Sequence, residues 1–165
     1  SVVRRKKITF KELLDLYPGT TDKEREYKIT KKYKTVFIIG VGYALSDGKP
    51  HDMRAPDYDD WHLDGDLLFY HEVLDMAMEI SSMGIRVDRQ ALLKQIEISQ
   101  KQERLEYAYH KAILSEELPL TIGGGIGQSR LCMLLLGRAH IGEVQVSIWK
   151  KEDIERLAKE NIILL

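Results

Sequence analysis

The segment Thr121-Ile-Gly-Gly-Gly-Ile-Gly-Gln-Ser-Arg130 constrains this chain more than any other. Glycines at 123, 124, 125 and 127 remove Cβ atoms, which suits a strand that must pass closely over a flat ligand. Residues 119–122 read as a strand entering the cluster and residues 128–136 as a helix leaving it, with Arg130 in the first turn. A buried arginine at that point presents a rigid cationic fork to a phosphate. A plain strand-to-helix turn, its arginine paired with a carboxylate, would have the same pattern. The segment is not a Walker loop, because no Gly-Lys-Ser/Thr follows. Nor is it a dinucleotide fingerprint, because position 130 is arginine rather than the third glycine.

Around this segment the composition is that of a globular domain. The 165 residues are 44% hydrophobic and 31% charged, enough for one ordinary core. A net charge of −1 offers no field to recruit nucleic acid or anionic lipid, so phosphate binding must come from a local site. Apolar stretches such as residues 36–41 are too short to span a bilayer. The basic start, Ser1-Val-Val-Arg-Arg-Lys-Lys7, lacks a following apolar region, so no signal peptide is expected. Cys132 is the only cysteine, which excludes an internal disulfide and fits a reducing compartment. Within the apolar run at 131–136 it reads as a packed core thiol. The five histidines show no metal-ligand spacing; His110 and His140 read as structural.

Periodicity and punctuation give the order of elements. Residues 9–17 read as a short helix capped by Thr9 and stopped by Pro18-Gly19, and residues 21–33 as a second, with Thr21 and Glu24 in capping-box positions. Residues 35–41 form a β-branched, aromatic run that reads as a buried strand. Residues 46–65 begin with turn chemistry, Ser46-Asp-Gly-Lys-Pro50, and read as an irregular loop. Residues 66–70 and 73–87 read as a strand pair, because Leu74, Met76, Met78 and Ile80 alternate with the intervening positions; an amphipathic helix over 73–87 competes with that reading. Residues 88–100 and 103–118 read as helices, 143–149 as a strand and 150–159 as a terminal helix. The mixed order lacks the regular alternation of a doubly wound sheet.

Two further segments carry chemistry. In Glu79-Ile-Ser-Ser-Met-Gly-Ile-Arg86, Glu79 and Ser81 share a strand face by simple alternation. A carboxylate aimed at a pocket suits Mg²⁺, which accepts one or two carboxylates together with substrate phosphates, and Asp66 on the neighbouring strand is a second oxygen donor. Solvated strand charges are the plain alternative. Arg54-Ala-Pro-Asp-Tyr-Asp-Asp-Trp61 packs three acids, an arginine and two aromatics into eight residues, a set able to hold an amino acid by its ammonium and carboxylate groups. A solvated acidic loop has the same composition.

Taken together, His51-Asp-Met-Arg-Ala-Pro-Asp-Tyr-Asp-Asp-Trp61, residues 74–88, and residues 118–130 followed by His140-Ile-Gly-Glu-Val-Gln145 closely resemble the ammonia-dependent (A-type) asparagine synthetases, the aspartate–ammonia ligases. The resemblance runs in order from about Ile8 to Trp149. It implies an α+β fold of the class II aminoacyl-tRNA-synthetase type, an antiparallel sheet flanked by helices, acting as a cytoplasmic homodimer. It also implies synthesis of asparagine from aspartate, ammonia and ATP through a β-aspartyl-adenylate, with release of AMP and pyrophosphate and with no role for nucleic acid or membrane.

By the same resemblance, Arg130 matches the phosphate-contacting arginine of class II motif 3, and Gly123, Gly124 and Gly125 match the glycines beneath the adenosine. Glu79 and Asp66 match carboxylates that hold Mg²⁺ on ATP, and Arg86 matches the arginine that grips aspartate through a carboxylate. Ser82, Arg54, Tyr58 and Asp59 match positions lining the aspartate and adenylate pocket. Residues 1–165 correspond to the C-terminal part of one catalytic domain; motif 1, motif 2 and a catalytic lysine, all N-terminal in the family, have no match before Ile8. Trp61 also runs directly into His62-Leu-Asp-Gly-Asp66, where the family carries a longer loop. An aspartyl- or asparaginyl-tRNA-synthetase relative, or a non-catalytic adenylate-binding paralogue or fragment, are the alternatives. The product, free asparagine or charged tRNA, separates the first of these from the ligase.

Overall fold

The computed structural model describes residues 5–42 and 54–165. The turn expected at 46–50 and the residues His51 to Met53 lie outside the described residues.

Two short helices open the fold with the caps their sequences specify. After β1 (Arg5–Thr9), α1 (Phe10–Leu16) starts where the Thr9 hydroxyl accepts from the Glu12 amide and the Glu12 carboxylate accepts from the Thr9 amide at 2.8 Å. α2 (Asp22–Tyr33) repeats the device with Thr21 and Glu24. β2 (Thr35–Ile39) then lies parallel to β1 and antiparallel to β3 (Asp59–His71). β3 pairs antiparallel with β4 (Met76–Arg86), and β4 with β5 (Ile122–Ile126), giving the order β1-β2-β3-β4-β5. The sheet is therefore mixed, with one parallel pair at its β1 edge. β1 had no signal of its own, because its five residues are mostly charged.

Both faces of the sheet carry helices. Ile8, Phe10, Leu13, Ile29, Val36, Ile38 and Leu68 form one buried cluster under α1 and α2, each large side chain contributing roughly 1.5–3 kcal/mol by leaving water. Phe69, the next residue of β3, instead joins Met78, Ile80 and Met133 under α5 (Gln128–Leu136). Successive strand residues point to opposite faces, so α5 lies across the sheet from α1 and α2. A third cluster, of Val87, Leu92, Ile96 and Ile113, joins α3 (Arg89–Ser99) to α4 (Ala108–Leu114). The turn between β3 and β4 is tied down by Asp75, which accepts from Tyr27 at 3.0 Å, from Lys31 at 3.0 Å and from Tyr70.

Several boundaries differ from the sequence reading. The strand pair is real, but β3 begins at Asp59, so residues 59–65 are strand and only 54–58 of the described residues there are irregular. The helix expected over 103–118 is broken: a 3-10 segment, Gln102–Glu106, ends at Tyr107, whose extended backbone (φ −72, ψ 147) starts α4 afresh. The glycines do not follow a strand; they are the strand, and residues 119–121 precede it. The strand expected at 143–149 is absent. A short 3-10 turn, Ile141–Glu143, leads into irregular chain, and Val146 and Ile148 are exposed. Alternating β-branched residues make a strand only where a neighbouring edge supplies hydrogen bonds, and no described strand pairs with this segment. The terminal helix is α6 (Lys151–Lys159).

Candidate active site

A cleft of about 260 Å³ opens where β4 and β5 meet the irregular segment 54–58 and the start of α5. Each wall is set by a local feature of the chain. β4 carries a bulge: Leu67 pairs with Ser81 but Leu68 pairs with Glu79, leaving Ile80 as the extra residue. The bulge breaks the alternation, so Glu79 and Ser82 line the cleft while Ser81 lines a separate cavity. Simple period two had put Glu79 and Ser81 together; the inserted residue corrects that pairing.

One end of the cleft is built on Arg86. It stands opposite Asp59 in the β3–β4 ladder, and its Nη1 donates to the Asp59 carboxylate. Nη2 donates to the Tyr58 hydroxyl at 2.9 Å, and the guanidinium lies 3.8 Å from the Tyr58 ring centroid. Two glycines make room for this cluster. A Cβ on Gly84 would lie 2.8 Å from Cγ of Asp59, and a Cβ on Gly123 would lie 2.8 Å from Cζ of Arg86. Beside it, Arg54 donates to the Ser82 hydroxyl at 2.9 Å and pairs with Asp66, which faces Ser82 across the ladder. The result is two arginine forks, each oriented by a carboxylate: Arg86 at one end of the cleft and Arg54 level with Ser82 and its ladder partner Gly125.

The other end holds Arg130 and Glu79. Arg130 Nη1 donates to the Glu79 carbonyl at 3.1 Å and stands 4.0 Å from its carboxylate. Contrary to the sequence reading, the Arg130 side chain is not buried; it is 55% exposed, in the first turn of α5 at the open cleft. Between the two ends, a Cβ on Gly125 would meet nothing within 4 Å, so that glycine faces the open cleft, whereas Gly124 is bare because Met83 and the Ser82 carbonyl crowd it. The three glycines thus have three different reasons: Gly123 clears Arg86, Gly124 permits close strand pairing and Gly125 leaves the cleft open.

For a divalent cation, Glu79 offers a half-exposed carboxylate at the cleft, and Asp66, although paired with Arg54, keeps Oδ1 buried without a partner. Among the described residues no three His, Cys, Asp or Glu side chains converge as a metal cage. The donor set fits Mg²⁺ held by one or two carboxylates and completed by phosphates and water. Asp64, in the same strand, is fully buried; Oδ1 accepts from the Val41 amide at 3.0 Å, and burial pushes its carboxyl up to about 7.

The three acids of segment 54–61 do not act together as expected. Asp59 faces Arg86, and Asp60 accepts from the His62 amide at 2.9 Å within the start of β3. Asp57 turns away from the cleft to Arg104 and His110. Gln95, on α3, was missed by sequence reasoning although it fixes the segment's backbone. The signal was present: Gln95 stands between Leu92 and Ile96 on the buried stripe of α3, where an amide must find partners. His110 lies against Asp57, and His140 accepts from the Gly142 amide. Cys132 is exposed rather than packed, on the outer side of α5.

Residues 4–161 match the family model described as aspartate-ammonia ligase. The chain is 55% identical over 158 residues to the aspartate–ammonia ligase of Malacoplasma penetrans, covering 96% of this chain and 48% of that protein. It is 56% identical over 158 residues to that of Clostridium perfringens, covering 96% of this chain and 47% of the relative. The chain thus spans about half the length of the relatives it matches. Among solved structures, an Entamoeba histolytica asparaginyl-tRNA synthetase in complex with asparaginyl-adenylate superposes with a TM-score of 0.58 at 22% identity. That likeness covers 85% of this chain and 33% of the synthetase, and it establishes a class II synthetase-like fold.

Proposed function

The chain belongs to the aspartate–ammonia ligase family, and from that membership we propose that the full-length protein containing it makes asparagine from aspartate, ammonia and ATP, with this chain as the C-terminal part of one catalytic domain. The observation that carries the reading is the division of the cleft: Arg86, oriented by Asp59, at one end, Arg130 with Glu79 at the other, and Arg54 with Asp66 and Ser82 level with the open position at Gly125 between them.

The chemistry follows from that division. Arg86 grips a carboxylate of aspartate with the donors Asp59 leaves available, and Tyr58 shields that contact from water. An oxygen of the side-chain carboxylate attacks the α-phosphorus of ATP; the bond from that phosphorus to its bridging oxygen breaks, and pyrophosphate leaves. Arg130 stabilises charge growing on the phosphates, held in place by the Glu79 carbonyl. Glu79, with Asp66 as the second carboxylate, would hold Mg²⁺, which would supply positive charge to the phosphates. Ammonia then attacks the acyl carbon, the acyl–oxygen bond breaks to release AMP, and a proton passes to solvent. Positioning and electrostatics suffice, without a covalent enzyme intermediate.

The reading extends to a cytoplasmic homodimer. Among the described residues no helix is long and apolar enough to cross a membrane. A broad apolar face of the sheet, with a cavity of about 710 Å³ and Ile122 80% exposed, supports burial against further polypeptide. A tRNA-synthetase reading has less support, because the solved synthetases share only the fold at this level of identity. Assay of the full-length protein tests the proposal. AMP forming only when both aspartate and ammonia are present supports it; ADP, or turnover without ammonia, refutes it.

A further inference from the structure

Segment 54–58 presents Arg54 and Tyr58 to the cleft and leads into Asp59, yet it has no regular secondary structure to hold it. Its backbone polar groups must therefore be satisfied and fixed from elsewhere. Gln95, 1% exposed, donates through Nε2 to the Pro56 carbonyl at 2.9 Å and to the Asp59 carbonyl at 3.0 Å, while its Oε1 accepts from the Trp61 amide at 2.9 Å. One side chain thus spans both ends of Pro56 to Trp61. Between those points, Asp57 Oδ2 accepts from Arg104 at 2.7 Å and lies 2.9 Å from Nε2 of His110, which is 4% exposed. Burial alone would raise the Asp57 carboxyl, but the hydrogen bonds from Arg104 and His110 outweigh it and hold the group below the usual carboxylate range. The helical break at Tyr107 lets residues of the 3-10 segment and of α4 both reach this one carboxylate.

We propose that Gln95 and Asp57 are positioning residues that fix segment 54–59 on the α3–α4 unit and thereby set the orientation of Tyr58 and Asp59 against Arg86 for aspartate recognition. This rests on the function proposed above. Neither residue lines the cleft, so neither touches substrate. Both flank Tyr58 and Asp59, the two residues that hold the Arg86 fork. A shift of about 1 Å in such a support can cost roughly 100-fold in rate without removing any contact to substrate. ATP is served by the far end of the cleft, at Arg130 and Glu79, which this unit does not hold. The prediction is therefore selective for aspartate.

The test is steady-state kinetics on the full-length protein. Asp57→Asn keeps the shape of the side chain but removes its charge. It should raise KM for aspartate about tenfold, leave KM for ATP within about twofold and leave the thermal midpoint within a few degrees. His110→Leu should act in the same direction, and His110→Gln, which keeps an N–H near the position of Nε2, should restore KM for aspartate to within about threefold of wild type. Gln95→Glu, which turns a carboxylate toward two carbonyls, should shift KM for aspartate more than Asp57→Asn does. A folded Asp57→Asn with wild-type KM for aspartate overturns the assignment. So does an equal rise in both KM values, or a His110→Gln that behaves like His110→Leu. Wild-type protein that forms no AMP from aspartate and ammonia overturns the underlying function, and this assignment with it.

Discussion

Arg86 donates to the carboxylate of Asp59, the residue directly opposite it in the β3–β4 ladder, and both side chains are largely withdrawn from solvent. Strand register, rather than a flexible loop, therefore aims the arginine. Arg86→Lys keeps the charge but loses the planar fork, and we expect KM for aspartate to rise roughly 10- to 100-fold with KM for ATP little changed. Tyr58→Phe removes one hydrogen bond and keeps the ring, so its effect should be only about two- to fivefold. A larger effect of Tyr58→Phe than of Arg86→Lys would contradict the assignment.

Gly123 and Gly125, two residues apart on β5, should fail differently. An alanine at 123 would push the Arg86 guanidinium aside, while an alanine at 125 would touch nothing in the protein and intrude on the cleft. Gly123→Ala should raise KM for aspartate, and Gly125→Ala KM for ATP, each by about tenfold or more. Separate titrations with aspartate and with a non-hydrolysable ATP analogue, measured by calorimetry, would show whether the two effects separate.

Among the described residues Arg130 donates to the Glu79 carbonyl, and over half of its side chain is exposed. Arg130→Ala should therefore leave the unfolding midpoint nearly unchanged. It should lower kcat about 100- to 1,000-fold, as expected for a donor that acts on charge developing during adenylation. Circular dichroism melting and initial rates on the same preparation check both halves of this statement.

Away from the cleft, Asp75 provides a pH marker for the fold. Hydrogen bonds from Tyr70, Lys31 and Tyr27 pull its carboxyl down to about 2, below its ordinary 3.8. A depressed folded value means the carboxylate contributes stability above the ordinary value, and that contribution is lost as pH falls through the folded one. The difference in thermal midpoint between wild type and Asp75→Asn should be full at pH 6 and should narrow as pH drops below about 4. A difference that is constant across that range would contradict the clamp.

Much of this arrangement is legible in the residues themselves. Thr9 with Glu12 and Thr21 with Glu24 state where two helices begin, because each cap is local chemistry three residues wide. Arg54, Tyr58, Asp59, Ser82, Arg86, Glu79 and Arg130 line one cleft, whereas Asp66 and Gly123, which the resemblance groups with them, are not among its lining residues. What escapes the sequence is non-local. The bulge at Ile80 appears only when β4 is laid against β3, and it decides that Ser82 rather than Ser81 lines the cleft with Glu79. Asp57, Asp59 and Asp60 are indistinguishable as letters and face three different partners. The run from 143 to 149 alternates like a strand but has no strand partner among the described residues.

The central claim is that aspartate is activated through its side-chain carboxylate as an adenylate. The most direct test supplies the full-length protein with aspartate labelled with oxygen-18 in the side-chain carboxylate, together with ATP and ammonia, and follows the label by mass spectrometry. Attack of that carboxylate on the α-phosphorus predicts transfer of one labelled oxygen to AMP, with none in pyrophosphate. Label in orthophosphate alongside ADP, or AMP formed without label, would contradict the account.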